Sequence, residues 1–447
     1  MTQKIKVRFA PSPTGYLHVG NVRTALVNWL FVKKHGGTFL LRIDDTDMER
    51  SRVEYEEAIA EDLTWLGLNW DEGAKQSDRM NRYELAKQKL VDSGRLYPCY
   101  ETQEELDVRR KLQVSRGKPP IYDRAALEMT DEQKQKYEAE GRKPHWRFKL
   151  ENKSIVWDDM VRGKCEFHGT HVSDPVLVRE DGVPLYTLSS VVDDGEMNIT
   201  HIIRGEDHVS NSAVQVQLFE ALGFAVPQMA HIALLKMKDG ELSKRKGGGD
   251  IRSMRAKGIF PMAINSLLAA IGTSDAVELA PSLDVLADKF DFKKFGRAVA
   301  QYDEDELLRL NTKLLHSLSY AEVHDKLEAL DLHHIPENFW LAIRENLTTL
   351  PEAKVWWELV QLPLTPVIQD ADYLSKAAEL LPSGEWDATT WKSFTEAVKN
   401  ATGRKGKDLF MPLRLALTAR EDGPDLSKVF QLLGREKAEQ RMLGKAA

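Results

Sequence analysis

Residues 4–47 carry the sequence KIKVRFAPSPTGYLHVGNVRTALVNWLFVKKHGGTFLLRIDDTD, and this stretch decides the fold class. Alternating apolar residues predict a strand over residues 4–10, which two prolines stop. Apolar residues at helical spacing predict a helix over about residues 21–34, ended by the glycine pair that starts at Gly36, and a second strand follows over residues 38–43. A strand, a crossover helix and a strand at this spacing indicate a parallel α/β sheet with a right-handed connection.

The rest of the chain divides into three patterns. Residues 44–47 are predicted to cap a further helix, and the weak pattern of residues 97–181 indicates an insertion between two halves of one sheet. After Gly258 the leucines recur at helical spacing, and nothing beyond Pro261 indicates a sheet. The sequence therefore predicts an α/β half with an insertion, followed by an all-α half. Signs of buried strands between the insertion and the helical half lie at residues 175–178, 185–192 and 199–203.

The composition excludes several classes of protein. The chain has 447 residues, 42 % of them hydrophobic and 29 % charged, which leaves room for about three globular domains and excludes a disordered scaffold. No stretch reaches the roughly 20 apolar residues of a transmembrane helix. The first residues lack the apolar core of a signal peptide, so a cytoplasmic protein is expected. Cys99 and Cys165 form neither a disulfide framework nor a zinc-ligand spacing.

Basic residues are concentrated in two segments of an acidic chain. The whole sequence has 62 basic and 69 acidic residues, a net charge of -7. Residues 241–258 contain six basic and two acidic residues, and residues 401–447 contain ten basic and six acidic residues, so each segment is net +4. These segments are either solvated faces or contacts for a polyanion, because local clustering matters more than net charge.

The loop after the first predicted strand has the sequence PSPTGYLHVGN. It contains neither the G-x-G-x-x-G pattern of dinucleotide sites nor the P-loop pattern, so those two sites are excluded here. His18 followed by Gly20 at a helix N-terminus would direct an imidazole and backbone N–H groups at an α-phosphate that gains charge in a transition state. The alternative interpretation is that His18 only caps the helix or packs against it.

The second loop of interest has the sequence LSKRKGGG and covers residues 242–249. Cations beside three glycines are typical of a loop that folds over a polyphosphate, with a lysine as a point charge on the leaving pyrophosphate. A solvated basic loop has the same composition. The interpretation as a phosphate loop depends on its pairing with the loop that carries His18.

Five motifs occur in a fixed order and together resemble one family. The segments VRFAPSPTGYLHVGN, LLRIDDTD, VVDD, HIIRGEDHVSN and LSKRK, in this order and spacing, resemble bacterial glutamyl-tRNA synthetases of the zinc-free type. HVGN is similar to the "HIGH" signature of class I synthetases, and LSKR is similar to their "KMSKS" signature. The resemblance extends from about Lys4 to Met442, because MPLRLALT and GPDLSKVFQLLG resemble the helical C-terminal domain of the family.

The resemblance implies an organisation into four regions. A Rossmann-like catalytic domain with a parallel sheet is expected over residues 1–95 and 182–250. An acceptor-end-binding domain is inserted over residues 96–181, a helical stem-contact region covers residues 251–303, and an all-helical anticodon-binding domain covers residues 304–447.

The resemblance also implies the roles of individual residues. His18 is expected to stabilise the ATP phosphates, and Lys244 to neutralise the leaving pyrophosphate, so both are the expected catalytic residues. Arg8 and Arg204 would bind the two carboxylates of glutamate, because guanidinium forks match carboxylates, and Asp44 would hold the ammonium group. The full expected glutamate site is Arg8, Ala10, Ser12, Asp44, Tyr186, Ser190 and Arg204. The full expected ATP site is Pro11, His18, Gly20, Asn21, Asp207, Leu235, Ser243, Lys244 and Arg245.

Three departures from the family pattern accompany the resemblance, and a separate point concerns zinc. Asp44 stands where many members have Glu, and Ser190 stands where Asn is frequent. Glu241 replaces the first lysine of the KMSKS-like signature, which removes one cation directed at phosphate. Cys99 is the one cysteine near the position where zinc-bearing members cluster Cys and His, so no metal site and no zinc are expected.

The expected function is glutamate–tRNA ligation. Glutamate and ATP with Mg²⁺ give glutamyl-adenylate, and the 3′-terminal adenosine of tRNA(Glu) accepts the glutamyl group; charging of tRNA(Gln) stays open. The alternatives are a non-charging tRNA-binding paralogue and a truncated relative that glutamylates a modified base. The truncated relatives lack a helical C-terminal half, which this chain has. A monomer without membrane contact is expected, with tRNA contacts from Arg404, Lys405, Lys407, Arg414 and Arg420.

Overall fold

A computed structural model describes residues 4–238 and 249–447. The chain forms two compact units. The first contains residues 1–253 and 264–303, and the second contains residues 254–263 and 304–447. The expected stem-contact region at residues 251–303 is therefore shared between the two units. We call the first the sheet unit and the second the helical unit.

The sheet unit alternates strands and helices up to residue 238. In chain order its elements are β1 (Lys6–Phe9), α1 (Val19–His35), β2 (Thr38–Ile43), α2 (Val53–Trp65), β3 (Glu72–Lys75), α3 (Met80–Asp92), β4 (Leu96–Cys99), α4 (Gln103–Ser115), α5 (Asp131–Ala139), β5 (His145–Phe148), β6 (Ser154–Asp159), β7 (Gly163–His168), β8 (Val176–Val178), α6 (Tyr186–Glu196), β9 (His201–Gly205), α7 (Val209–Leu222), β10 (Gln228–Ile232) and β11 (Leu235–Met237).

The predicted parallel α/β core is confirmed by the strand pairing. Strands β1, β2 and β3 form one parallel ladder, in which Val7 pairs with Phe39. Strands β9 and β10 form a second parallel ladder. The two ladders meet at their first residues, where Lys6 N donates to Thr200 Oγ1 at 2.8 Å and Thr200 N donates to Lys6 O at 2.9 Å. Helix α1 ends as predicted at Gly36, whose φ of 67° suits a residue without a Cβ.

The insertion supplies strands to two places. Strands β4, β5 and β8 form a separate antiparallel sheet. Strands β6 and β7 form an antiparallel hairpin, and β6 continues the second ladder because Asp159 pairs in parallel with Met229 of β10. Met160 N donates to Met229 O at 2.8 Å at the same junction. The hairpin of the insertion is thus bonded to the core sheet, in the order β7-β6-β10-β9.

Three local predictions are wrong. Residues 185–192 form most of helix α6 rather than a strand, and their β-branched and aromatic content misled the assignment because both faces of this helix are buried. Residues 44–47 do not cap α2, which begins at Val53 after an Arg52 without a capping side chain. A strand does occur after Pro261, since Ala300–Tyr302 pairs in parallel with β11.

The remainder of the chain is mainly helical. It contains α8 (Ile251–Ala256), α9 (Pro261–Ala270), α10 (Leu283–Lys289), β12 (Ala300–Tyr302), α11 (Glu304–Ser317), α12 (Tyr320–Glu328), α13 (Glu337–Ile343), α14 (Glu352–Gln361), α15 (Ala371–Glu379), α16 (Thr390–Thr402), α17 (Lys407–Thr418) and α18 (Leu426–Met442).

Helix α18 organises the core of the helical unit. Its Phe430 is fully buried and stacks on Trp386 with ring centroids 4.0 Å apart. Arg441 lies beyond Gly434, whose non-helical backbone divides α18. It is also fully buried, and its guanidinium donates to the carbonyls of Leu359 at 2.8 Å and Leu417 at 2.7 Å. These carbonyls lie in the last turns of α14 and α17, so one side chain satisfies groups that helix ends leave open. In the part of the chain that the structure describes, no helix has both the length and the apolar character to span a bilayer.

Candidate active site

Charged side chains collect where three strands of the sheet unit end. Arg8 lies on β1, Arg42 on β2 and Arg204 on β9, and all three are buried. Helix α6 adds Asp193 and Asp194 to the same region, and both are buried. In open α/β sheets this end of the strands is where ligands bind.

Two of the arginines share the carboxylate of Asp194. Arg8 Nε lies 3.1 Å from Asp194 Oδ1, and Arg42 Nη1 lies 2.7 Å from the same oxygen. Arg42 also donates to both oxygens of Asp44, at 2.7 Å from Nε and 3.1 Å from Nη2. Asp193 completes the network, because Arg79 Nε donates to it at 2.7 Å. Arg42 therefore connects the predicted glutamate-binding residues Arg8 and Asp44.

Burial and neighbouring charges tune the carboxyl groups of this network in opposite directions. Burial raises the pKa of Asp44 to about 6, although the Arg42 guanidinium opposes the increase. Burial also disfavours ionisation of Asp194, yet Arg8 and Arg42 hold the pKa of this carboxyl below its usual value. Asp194 is thus a fixed anion, whereas Asp44 ionises within reach of neutral pH, as functional carboxyl groups often do.

Arg204 has a different environment from Arg8 and Arg42. Its guanidinium donates to Tyr186 OH at 2.9 Å, to Ser212 Oγ at 2.6 Å and to Gln215 Oε1 at 2.6 Å. Among the described residues it forms no ion pair, and burial lowers its pKa. A buried cation with only neutral partners is costly, so the site retains a positive charge that a ligand carboxylate can neutralise.

Tyr186 and Ser190, two further predicted glutamate-binding residues, lie beside Arg204. Tyr186 contacts Arg204 directly, and Ser190 Oγ lies 3.5 Å from Gln215 Nε2, next to the same guanidinium. Ala10 is half-buried and Ser12 exposed in the loop that follows β1. This loop is tied to β2 because Asp44 N donates to Pro11 O at 3.0 Å.

His18 and Asn21 form a reciprocal cap at the start of α1. Gly20 N donates to His18 Nδ1 at 3.1 Å, and His18 N donates to Asn21 Oδ1 at 3.4 Å. The side chain of His18 is exposed. A Cβ on Gly20 would lie 2.9 Å from the imidazole, so only glycine leaves room for this ring. The capping alternative of the sequence analysis is present, and it fixes the ring at the helix N-terminus.

The chain returns to the His18 loop at residues 249–251. Val19 N donates to Gly249 O at 2.8 Å, and Ile251 N donates to Leu17 O at 3.2 Å. The predicted phosphate residues Ser243, Lys244 and Arg245 lie outside the described residues. Backbone hydrogen bonds therefore join the His18 loop to Gly249, the last residue of the second predicted loop, and to Ile251 just beyond it. Of the other predicted ATP-site residues, Leu235 is half-buried on β11 and Asp207 is exposed just after β9.

The predicted tRNA contacts all lie in the helical unit, with different environments. Arg404 is half-buried, forms an ion pair with Asp370 and covers the ring of Tyr373 at 4.1 Å. Arg414 is half-buried and donates to Pro424 O at 3.1 Å. Three exposed cations remain at this end of the unit, Lys405, Lys407 and Arg420.

Comparison with known proteins identifies the family. Residues 4–307 match the family model described as tRNA synthetases class I (E and Q), catalytic domain. The chain belongs to this family. Residues 366–444 match an anticodon-binding domain. The predicted class I synthetase with a Rossmann-like catalytic domain and a helical anticodon-binding domain is thereby confirmed.

Relatives that align over nearly the whole chain support the same family. "Glutamate--tRNA ligase 1" of Maricaulis maris is 55% identical over 444 residues, covering 99% of this chain and 100% of the relative. "Glutamate--tRNA ligase" of Azospirillum brasilense is 53% identical over 445 residues, with 99% and 100% coverage. A solved glutamate tRNA ligase from Elizabethkingia meningosepticum, in complex with its amino acid, has a TM-score of 0.87 at 29% identity and covers 98% of each chain.

Five residues at or beside the site carry no role in the sequence analysis. They are Arg42, Asp159, Asp193, Asp194 and His231. A charged residue in the otherwise apolar strand LLRI is a pattern that could have indicated Arg42, because buried charges require partners. His231 lies in the apolar run MAHIALL and offers the same kind of pattern. Asp159 comes from the insertion, and only the strand pairing brings it to this site.

Proposed function

We propose that this protein is a glutamate–tRNA ligase, which joins L-glutamate to the 3′-terminal adenosine of tRNA(Glu) at the expense of ATP. The observation that carries the proposal is Arg204, a buried guanidinium bonded only to neutral groups at the end of a parallel strand. A dicarboxylic amino acid supplies the missing anion. The family and the names of the relatives favour the same substrate.

Glutamate requires two cations and one acid from its site. Arg204 with Tyr186 would bind one carboxylate, and Arg8 would approach the other while Asp194 keeps that guanidinium in place. Asp44 would hold the ammonium group with the lone pairs that Arg42 leaves available. Because these groups are held by buried partners, they pay little reorganisation cost when the substrate binds.

Activation of glutamate would depend on charge stabilisation around the ATP phosphates. His18 Nδ1 accepts a hydrogen bond from Gly20 N, so the neutral ring carries its proton on Nε2, the nitrogen that can donate to an α-phosphate oxygen. The family assigns Lys244, with Ser243 and Arg245, to the leaving pyrophosphate. Pro11, Asn21, Asp207 and Leu235 complete the proposed ATP site.

Mg²⁺ is assigned to the ATP phosphates rather than to a carboxylate cage. Among the described residues, two groups of three side chains have ligand atoms close enough to share a metal ion. Neither group contains a residue of the proposed glutamate or ATP site. Mg²⁺ bound through nucleotide phosphates would supply additional positive charge to the reacting phosphate.

We propose that the chain contains no structural zinc. Cys99, Glu101 and His145 do have donor atoms within 4.8 Å of one another. However, Tyr122 OH already donates to Glu101 at 2.7 Å, and Arg109 lies 3.6 Å from the same carboxylate. Three donors with one thiol fall short of the four ligands of structural zinc sites, and a nearby guanidinium opposes a dication.

The proposed polyanionic partner is tRNA, bound through the helical unit as well as the sheet unit. The anticodon-binding match over residues 366–444 includes Arg404, Lys405, Lys407, Arg414 and Arg420. Lys405, Lys407 and Arg420 are exposed and suited to phosphate contacts. The inserted residues 96–181 would bind the acceptor end, residues 251–303 the stem, and residues 304–447 the anticodon arm. We propose a cytoplasmic monomer as the working form.

Aminoacylation of purified tRNA transcripts tests the proposal. Labelled glutamate, glutamine and aspartate are each supplied with ATP, Mg²⁺ and either tRNA(Glu) or tRNA(Gln). We expect that glutamate is the one amino acid of the three that is charged, and that tRNA(Glu) accepts it. Tight tRNA binding without charging would favour the non-charging paralogue, and charging of both tRNAs would extend the substrate range.

A further inference from the structure

His231 contacts Arg204 but has no part in the reaction proposed above. Its side chain is fully buried on β10, and its Nε2 accepts from Arg204 Nε at 3.3 Å. Ser212 Oγ, which also accepts from Arg204 Nη2, lies 2.8 Å from the same imidazole nitrogen. The imidazole therefore contacts the guanidinium at Nε, whereas Tyr186 contacts it at Nη1.

The carboxylate of Asp159 fixes the orientation of this imidazole. Asp159 Oδ2 lies 2.5 Å from His231 Nδ1, and neither side chain is exposed. The other oxygen, Oδ1, accepts from three backbone N–H groups, those of Val161 at 3.1 Å, Arg162 at 2.9 Å and His231 at 3.2 Å. The two carboxylate oxygens thus have separate tasks, one holding the hairpin turn and one holding the ring.

The proton positions follow from the partners. Arg204 can only donate, so His231 Nε2 must offer its lone pair. The single proton of a neutral imidazole then lies on Nδ1 and is donated to Asp159. Burial lowers the pKa of His231, which agrees with a neutral ring between an ionised carboxylate and a guanidinium.

We propose that Asp159 and His231 are positioning residues for the amino-acid substrate: they orient Arg204 through a neutral acceptor and leave its charge available to a substrate carboxylate. A carboxylate in the position of His231 would orient the guanidinium but also neutralise it. The neutral imidazole separates the two effects, because the anion stays one ring further away. This inference rests on the proposed role of Arg204 in glutamate binding and extends it to a residue of the insertion.

The variant Asp159→Asn tests the tautomer with almost no change of shape. Its Oδ1 can still accept the backbone N–H groups, but an NH₂ group faces His231 Nδ1 and forces the proton to Nε2, towards Arg204. KM for glutamate is expected to rise about 10- to 100-fold, the range for a lost hydrogen bond to a charged group. The expected changes in kcat and in KM for ATP are less than threefold. Asp158→Asn is the matched control, since Asp158 is exposed on the same strand, and it should behave as the wild type.

A second pair of variants separates positioning from folding. In His231→Gln the side-chain oxygen can take the place of Nε2 as acceptor, whereas His231→Asn is too short to reach Arg204. Glutamate KM should therefore stay closer to the wild-type value in His231→Gln than in His231→Asn. Equal KM increases in both variants would overturn the proposal.

Nitrogen-15 NMR of histidine-labelled protein reads the tautomer without any substrate, with His231→Gln used for assignment. A pyrrole-type Nδ1 is expected in the wild type, and the reverse tautomer in Asp159→Asn. A proton on Nε2 in the wild type, or unchanged glutamate KM in Asp159→Asn, would contradict the inference. Failure of the wild type to charge any tRNA would instead contradict the proposed function, and the NMR result would still stand.

Discussion

The cluster at the strand ends of the sheet unit and the core of the helical unit bury charge in different ways. In the sheet unit Arg8, Arg42 and Arg204 lie together with buried carboxylates, and Arg204 has only neutral partners. In the helical unit, over its described residues, Arg441 is the one charged side chain buried to this extent, and backbone carbonyls occupy its guanidinium. Because neither Arg441 nor Arg204 has an ionised partner among the described residues, position separates the two: Arg441 occupies carbonyls at helix ends, whereas Arg204 lies where parallel strands end, which is where open α/β sheets bind ligands.

Substitution of Arg204 should have the largest effect on catalysis. In Arg204→Gln a neutral amide faces the substrate carboxylate, and an unpaired buried charge costs about 2–5 kcal/mol. We expect kcat/KM for glutamate to fall about 10²- to 10³-fold in aminoacylation assays run well below the melting temperature of the variant. The control is Arg82→Gln, which removes an exposed ion pair with Glu196. A fall in stability without a catalytic defect would break the comparison.

Substitution of Arg441 should have the opposite profile. Arg441→Met leaves the carbonyls of Leu359 and Leu417 without their donors, and we expect the free energy of unfolding to fall by about 2–4 kcal/mol. Urea unfolding followed by tryptophan fluorescence measures this loss. Pyrophosphate exchange at low temperature should keep its glutamate KM. Arg435→Met, at an exposed position of α18, serves as the control and should be neutral within about 0.5 kcal/mol.

The pH dependence of glutamate binding should show the titration of Asp44 in the sheet unit. The pKa of Asp44 is about 6, and protonation removes the anion that would hold the ammonium group of glutamate. KM for glutamate is therefore expected to be constant above about pH 7 and to rise about tenfold between pH 7 and pH 5, with a slope that approaches one decade per unit of pH below pH 5. In Asp44→Asn, KM should be high at every pH and should lose this dependence. A wild-type profile that persists in Asp44→Asn would assign the effect to another group.

The smallest effect is expected when metal is removed, because we propose that Cys99, Glu101 and His145 of the insertion hold none. Elemental analysis should find no stoichiometric zinc, and chelators should leave the melting temperature unchanged. In the described chain Glu101 Oε2 and His145 Nε2 are buried without a hydrogen-bond partner. Both atoms could therefore bind a zinc ion if the site held one, and elemental analysis decides the question directly. If one zinc per chain is found and is lost in Cys99→Ser, the proposal is contradicted. Zinc would then be the partner of the buried Glu101 and His145 atoms.

The local sequence was sufficient to predict a helix or strand where the pattern within that segment determines its structure. The strand, helix and strand of residues 4–43 follow from alternation, helical spacing and the left-handed Gly36. The segment 185–192 failed this approach because Leu188, Val191 and the buried serines between them face protein on every side, so neither a helical nor a strand period is visible. Packing against the neighbouring helices α7 and α3 decides that such a segment is helical.

The candidate site was predictable only for residues that motifs point to. Arg8, Asp44 and Arg204 lie in motifs whose order resembles the family, and they do come together. The alignment of Asp159 with His231 depends on the pairing of β6 with β10, which joins segments far apart in the chain. No pattern along the sequence specifies such a pairing, because register between distant strands is set by tertiary contacts.

The hydrogen bonds between the β6–β7 hairpin and β10 limit how this protein can be modified by engineering or by evolution. An insertion is usually a module that can be exchanged or deleted without harm to its host. Here deletion would convert β10 into an open edge strand, whose unpaired backbone groups invite aggregation. A graft of the insertion from another protein would have to bring both a strand for that edge and a carboxylate for His231. The insertion and the sheet it joins therefore form one structural part.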